Sequence, residues 1–82
     1  FNLANLLEEA GQREAALGHY KAAVQTDPFF ADARLNLALL YEKLDLPRQA
    51  KEQWRHYLQR VSEGYWADLA RVRLGEKPRR SH

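Results

Sequence analysis

The fold is decided by residues 36–58, which read NLALLYEKLDLPRQAKEQWRHYL, because residues 2–24 carry the same pattern as NLANLLEEAGQREAALGHYKAAV. The two copies are offset by thirty-four residues. Size and polarity are kept at the matched positions, which pair Leu7 with Tyr41, Ala16 with Ala50, Tyr20 with Trp54, and Val24 with Leu58. A fixed period of this length is typical of stacked repeat proteins.

Apolar residues at helical spacing predict two helices in the first copy, over residues 1–10 and 13–26. Gly11 stands where a helix commonly ends in the left-handed conformation. Asp27-Pro28 stops the second helix, because proline disfavours a helical conformation in the residue before it. The short turn between the two helices makes them antiparallel neighbours.

The same spacing predicts three further helices, over residues 30–44, 47–61 and 65–74. Asp45 replaces the glycine of the first copy, and Pro47 suits a first helical turn, where its missing N–H has no intrahelical partner to lose. The last helix has no partner helix, so we expect it to cap the final apolar face. The predicted buried positions are Leu3, Leu7, Ala16, Tyr20, Leu37, Ala38, Tyr41, Ala50, Trp54 and Leu58.

The residues that carry the period are a small one in the first helix (Ala4, Ala38), an alanine early in the second (Ala16, Ala50), an aromatic four later (Tyr20, Trp54) and Asp27-Pro28. In these features the chain resembles the tetratricopeptide repeat family over residues 1–74. The resemblance implies an all-α fold of antiparallel helix-pair repeats stacked into a superhelix, a solenoid. We expect one domain over 1–75 with repeats 1–30 and 31–64 and a capping helix 65–74, followed by a disordered basic tail, 76–82.

The chain departs from the family pattern at Tyr57, which stands where the first copy has Ala23. A small residue there lets the next helix approach closely. A tyrosine therefore predicts looser or altered packing, with its hydroxyl at the solvent.

The resemblance also implies a protein-interaction module or scaffold that binds a peptide or helix of a partner protein in a concave groove lined by the first helix of each pair. The groove residues that it predicts are Asn5, Glu8, Glu9, Leu35, Asn36, Leu39, Glu42, Leu69 and Arg73, with Phe1 and Asp32 beside them. The glutamates favour a basic partner segment. Leu35 and Leu39 lie off the buried stripe of their helix, so they are either groove anchors or ordinary exposed leucines.

Some relatives grip a carboxylate at the C-terminus of their partner with two asparagines and three cations. Asn5 and Asn36 match the asparagines, but Phe1, Trp66 and Ala70 stand where the cations belong. Without that charge a carboxylate clamp is disfavoured. The simpler expectation is that Asn36 hydrogen-bonds backbone between the repeats.

No pattern of a catalytic or cofactor site is present in the sequence. His19, His56 and His82 share no helical ligand spacing, Cys is absent, and there is no phosphate loop or nucleophile motif. We therefore expect neither an enzyme nor a cofactor. No apolar run reaches the roughly 20 residues of a membrane span, and the lack of cysteine leaves cytoplasm and periplasm both open.

Charge leaves an alternative partner open. The first 43 residues hold four basic and six acidic residues, and the remaining residues nine basic and five acidic. Nucleic-acid binding by the basic half is the alternative, although acidic residues interleave with the arginines. Another alternative is that the chain is a non-catalytic oligomerisation part of a larger enzyme.

The length of the array predicts an interface at its N-terminal end. Two repeats and a cap fall short of the three or so repeats that such stacks usually need. Helix one lacks a preceding helix to cover Leu3 and Leu6, whereas Tyr65, Leu69 and Val72 should shield the other end. We expect self-association through the N-terminal helix face, across a two-fold axis, or coverage by an upstream repeat.

Overall fold

The computed structural model describes residues 2–77, apart from the side chains of Asn2 and Asn5. The described part contains five helices and no strand: α1 (Asn2–Glu9), α2 (Arg13–Thr26), α3 (Ala31–Lys43), α4 (Pro47–Arg60) and α5 (Tyr65–Arg73). Each helix packs against the next one along the chain. The predicted all-α architecture of helix pairs with an additional fifth helix is confirmed.

The turns follow the local chemistry of the sequence. Gly11 and Asp45, thirty-four residues apart, both adopt positive φ, at 83° and 59°. Each therefore reverses the chain after the first helix of a pair. Asp27 is extended, with φ −137° and ψ 90°, as the proline after it requires. Pro47 occupies the first turn of α4.

One apolar core runs through all five helices. Trp54 and Tyr20 are its largest fully buried side chains, and Ala4, Ala16 and Ala38 are buried with them. Of the predicted buried positions, Ala16, Tyr20, Leu37, Ala38, Tyr41, Ala50 and Trp54 are confirmed. Leu7 and Leu58 are partly buried against this core.

The prediction for Leu3 was wrong, because its side chain is 52% exposed whereas its equivalent Leu37 is 1% exposed. The two leucines occupy the same place in their repeats but have different surroundings. α3 packs against both α2 and α4, whereas α1 packs against α2 among the described elements. The helical stripe was correctly placed, but no second helix of the described part covers this face.

The expectation that Tyr57 loosens the packing and places its hydroxyl at the solvent was wrong. The residue is buried, with 5% of its surface exposed. Its ring meets that of Trp54 edge to face, with 6.4 Å between the centroids. Burial, and secondarily the charge of Asp32, raises the pKa of the Tyr57 hydroxyl. The larger side chain is therefore part of the core.

α5 packs against α4, and its residues Ala67, Ala70 and Arg71 are buried. The buried Arg71 guanidinium donates to the Ser62 carbonyl oxygen and lies 3.4 Å from Asp68 Oδ1. The expected shielding of the C-terminal end is incomplete: Leu69 is half-buried, but Tyr65 and Val72 are 64% and 49% exposed. In the predicted tail, Glu76 and Lys77 are exposed, and residues 78–82 lie outside the described part.

Candidate partner-binding surface

The first helices of the successive pairs, α1, α3 and α5, are linked side by side by two ion pairs. Lys43 Nζ of α3 pairs with Glu8 Oε2 of α1, and Arg73 Nε of α5 donates to Glu42 Oε2 of α3 at 2.8 Å. These links place the three helices along one side of the molecule. We call this side the first-helix surface; α1, α3 and α5 are the helices for which the groove residues were predicted.

Each repeat contains the same hydrogen bond between its two helices. The Tyr20 hydroxyl donates to Glu8 Oε1 at 3.2 Å, and Trp54 Nε1 donates to Glu42 Oε2 at 2.9 Å. Burial and the adjacent Glu8 raise the pKa of Tyr20 to about 12. Glu8 and Glu42 thus hold a core aromatic on one side and a cation from the next repeat on the other.

Three leucines of the predicted groove, Leu35, Leu39 and Leu69, are half-buried at the edge of the core. Leu35 and Leu39 lie one helical turn apart on α3, and Leu69 lies one turn before Arg73 on α5. The Arg73–Glu42 link joins these two helices beside the leucines. Each leucine packs against the core and leaves part of its side chain exposed.

The polar groove residues are distributed unevenly. Glu9 and Asp32 are exposed. Asn36 Nδ2 donates to the Asp32 carbonyl oxygen at 2.8 Å. The expected backbone partner of Asn36 is therefore present, but it lies within α3 rather than between repeats, so that expectation was wrong about the location. Phe1 and the side chain of Asn5 lie outside the described part.

The places where a carboxylate clamp needs cations are apolar. Ala70 is fully buried and Trp66 is 40% exposed. Trp66 meets Tyr65 edge to face at 5.0 Å. Tyr65 and Trp66 therefore offer an aromatic surface here rather than positive charge.

Several of the arginines in the basic half are used within the protein. Arg71 is buried, Arg73 pairs with Glu42, and the guanidinium of Arg60 lies 4.6 Å from the ring centroid of Phe29. Arg34, in the first half, donates to Gln53 Oε1 at 2.8 Å. Arg79 and Arg80 lie outside the described part. These four arginines thus make contacts within the protein.

The described residues contain no group of three or more His, Asp or Glu side chains placed to hold a metal ion. None of their helices combines the length and apolar character needed to cross a membrane.

Sequence reasoning placed Glu8 and Glu42 on this surface but missed what they hold. Lys43 was not predicted to take part, and neither was the Trp54 N–H nor the Tyr20 hydroxyl. The two hydrogen bonds could have been predicted from the repeat, because the same residue spacing occurs in both copies. Glu8 precedes Tyr20 by twelve residues, and Glu42 precedes Trp54 by twelve.

The fold and this surface define an all-α protein built from repeated helix pairs whose first helices share one side. A family model described as TPR repeat matches residues 3–45, slightly more than half of the chain. The chain belongs to the TPR repeat family. Such repeats generally mediate protein–protein interaction and are typically non-catalytic. A comparison with curated proteins found none that matches the chain.

Proposed function

We propose that this chain is an interaction module that binds a peptide or helix of a partner protein along the first-helix surface. The observation that supports this most directly is the set of half-buried leucines, Leu35, Leu39 and Leu69, on helices that ion pairs join side by side. Leucines fixed by the core offer apolar contact without much loss of side-chain entropy on binding. Partner helices are commonly recognised by apolar side chains that enter such a surface.

The charges on this surface favour a partner with apolar anchors and a modest basic character. Glu8 and Glu42 are already engaged by Lys43 and Arg73, which offset their charge. Glu9 and Asp32 are the exposed acidic residues among those predicted to line the groove. Apolar contact with the leucines therefore supplies affinity, and Glu9 and Asp32 orient the basic end of the segment.

The test substitutes both Leu35 and Leu39 by glutamate and measures which proteins the chain captures from its source cell. We expect loss of the partners that the unaltered chain captures. The matched control changes Gln49 and Gln59 to glutamate, which adds the same charge at exposed positions on α4. Unchanged partners with both leucines replaced would contradict the proposal.

Because both leucines contact the core, their replacement also lowers stability. Circular dichroism is therefore used to check that the variant is still folded, and its spectrum must match that of the unaltered chain. A photo-activated cross-linker in place of Glu9 gives a second measurement that leaves the leucines intact. It should label the same partner, whereas one in place of Gln59 should not.

Nucleic-acid binding, the alternative function, predicts a different dependence of affinity on salt. Affinity that depends on phosphate neutralisation falls steeply as salt rises. Binding to mixed-sequence RNA and DNA is measured at low and physiological salt, with Arg79 and Arg80 deleted as the control. A steep salt response that weakens on deletion would favour nucleic acid over the groove.

A further inference from the structure

The molecule carries an exposed apolar face on α1. Leu3 and Leu6 are 52% and 62% exposed, whereas their equivalents Leu37 and Leu40 in α3 are 1% and 0% exposed. α3 lies between α2 and α4, and α1 contacts α2 among the described elements. The repeat itself thus shows that this face is built to be covered by a neighbour.

A second exposed apolar face lies on α5. Val72 is 49% exposed, whereas Ala38, thirty-four residues earlier, is completely buried. Ala38 lies one helical turn from Arg34, which reaches Gln53 of α4, so this stripe of α3 faces α4. On α5 the same stripe carries Tyr65 and Val72, and no described helix follows to cover it.

The charges of these two ends are opposite. α1 carries the exposed Glu9 and no basic residue. At the other end, the exposed Lys77 follows α5, and Arg79 and Arg80 come after it in the sequence. With six acidic against four basic residues, the first 43 residues have a net charge of −2, and the other 39, with five against nine, have +4. Opposite charges on two surfaces favour their encounter.

We propose that the uncovered face of α5 packs against the uncovered face of α1 on a second copy of this chain, head to tail. This contact covers Leu3 and Leu6 with Tyr65 and Val72, and it places acidic residues near basic ones. A two-fold contact between two α1 helices would leave the α5 face open. The head-to-tail contact is heterologous, so it repeats from copy to copy into a ring or an open chain.

The contact is independent of the proposed partner surface. It uses the two ends of the molecule, whereas the leucines of the partner surface lie on α3 and on the Leu69–Arg73 side of α5. The area offered by two short helices is small, which makes the association weak and dependent on concentration.

Analytical ultracentrifugation of the full chain and of two variants tests the proposal. Leu6→Glu disables the α1 face, and Val72→Glu disables the α5 face. We expect the mass of the unaltered chain to rise with concentration beyond a dimer, and each variant alone to stay monomeric. An equimolar mixture of the variants should form a one-to-one dimer that grows no further, because one functional face of each kind remains.

The same measurement distinguishes the other arrangements. Dimers of Val72→Glu alone would show a two-fold contact through α1, and dimers of Leu6→Glu alone would show one through α5; either result overturns the proposal. So does an unaltered chain that is monomeric at every concentration. Gln59→Glu is the charge control and should associate normally.

Both variants alter exposed side chains, so their circular dichroism should match that of the unaltered chain. If either unfolds, Leu6→Gln and Val72→Gln replace them and the mixing experiment is unchanged. Added salt should weaken the association, because opposite charges draw the two faces together. Association that is indifferent to salt would contradict the role given to these charges.

Discussion

Glu42 holds two side chains at once, since its Oε2 accepts the Trp54 N–H at 2.9 Å and the Arg73 Nε–H at 2.8 Å. Glu42→Ala leaves the indole N–H of a fully buried tryptophan without an acceptor, which should cost about 1–3 kcal/mol of unfolding free energy. Glu42→Gln keeps an acceptor and loses the partly exposed ion pair, which is worth about 0–1 kcal/mol. Urea denaturation measures both.

The control for this prediction is Glu9→Ala, which removes an exposed carboxylate from the same surface. It should change stability by less than about 0.5 kcal/mol. If Glu42→Ala and Glu42→Gln lose the same free energy, the indole bond contributes nothing.

Gly11 and Gly18 should respond to alanine with opposite signs. A side chain at either position meets no atom within 4 Å, so space does not decide the outcome. Gly11 has φ 83°, a left-handed conformation that costs a residue with a side chain about 1–2 kcal/mol. Gly18 lies inside α2, where Gly→Ala stabilises a helix by about 0.5–1 kcal/mol.

Thermal unfolding of Gly11→Ala and Gly18→Ala measures this difference. Asp45 adopts the same left-handed conformation at the position equivalent to Gly11. Asp45→Gly should therefore raise the melting temperature, because glycine adopts this conformation without strain. A lower melting temperature for Gly18→Ala would show that this position has a role the helix alone does not explain.

Tyr20 should make the folded chain sensitive to alkali. Its pKa is about 12 in the folded protein, against 10.0 ordinarily, because burial and Glu8 oppose its ionisation. Between these values the unfolded chain loses the proton while the folded chain keeps it, so stability falls as pH rises. Below pH 10 the effect is absent.

Denaturation of the unaltered chain and of Tyr20→Phe at a series of alkaline pH values tests this. Phenylalanine has no proton to lose, so the decline should become shallower. Tyr41 and Tyr57, whose pKa values are also raised, account for the slope that remains. Identical slopes would contradict the argument.

At the scale of the helix, the α3–α4 contact depends on a small residue. Ala38 is fully buried, and a large ring there must push the helices apart. Ala38→Trp should therefore cost about 1–3 kcal/mol. Ala15→Trp, at an exposed place on α2, is the control and should be nearly neutral in chemical denaturation.

The sequence predicts the helices well because their ends depend on local chemistry, such as Gly11 and the Asp27-Pro28 pair. It predicts less well which apolar side chains a neighbouring helix covers. Leu3 and Leu37 occupy equivalent places in the pattern, but α3 packs against two described helices and α1 against one. The local pattern of α1 does not contain that difference. The ion pairs are harder still, because Glu8 and Lys43 are separated by a whole repeat. Their meeting depends on the stacking angle between repeats.

At the scale of the whole molecule, the ion pairs Glu8–Lys43 and Glu42–Arg73 join α1 to α3 and α3 to α5 along one side of the helix stack. The longest extent of this stack is 39 Å. Charge attraction between partly exposed groups weakens as salt screens it, whereas apolar packing does not. High salt should therefore relax this side alone and straighten the stack. Small-angle scattering of dilute monomer would detect the longer particle, and Glu8→Gln with Glu42→Gln should produce it at low salt. The spacing that a bound helix meets would then be set by ionic strength as well as by sequence.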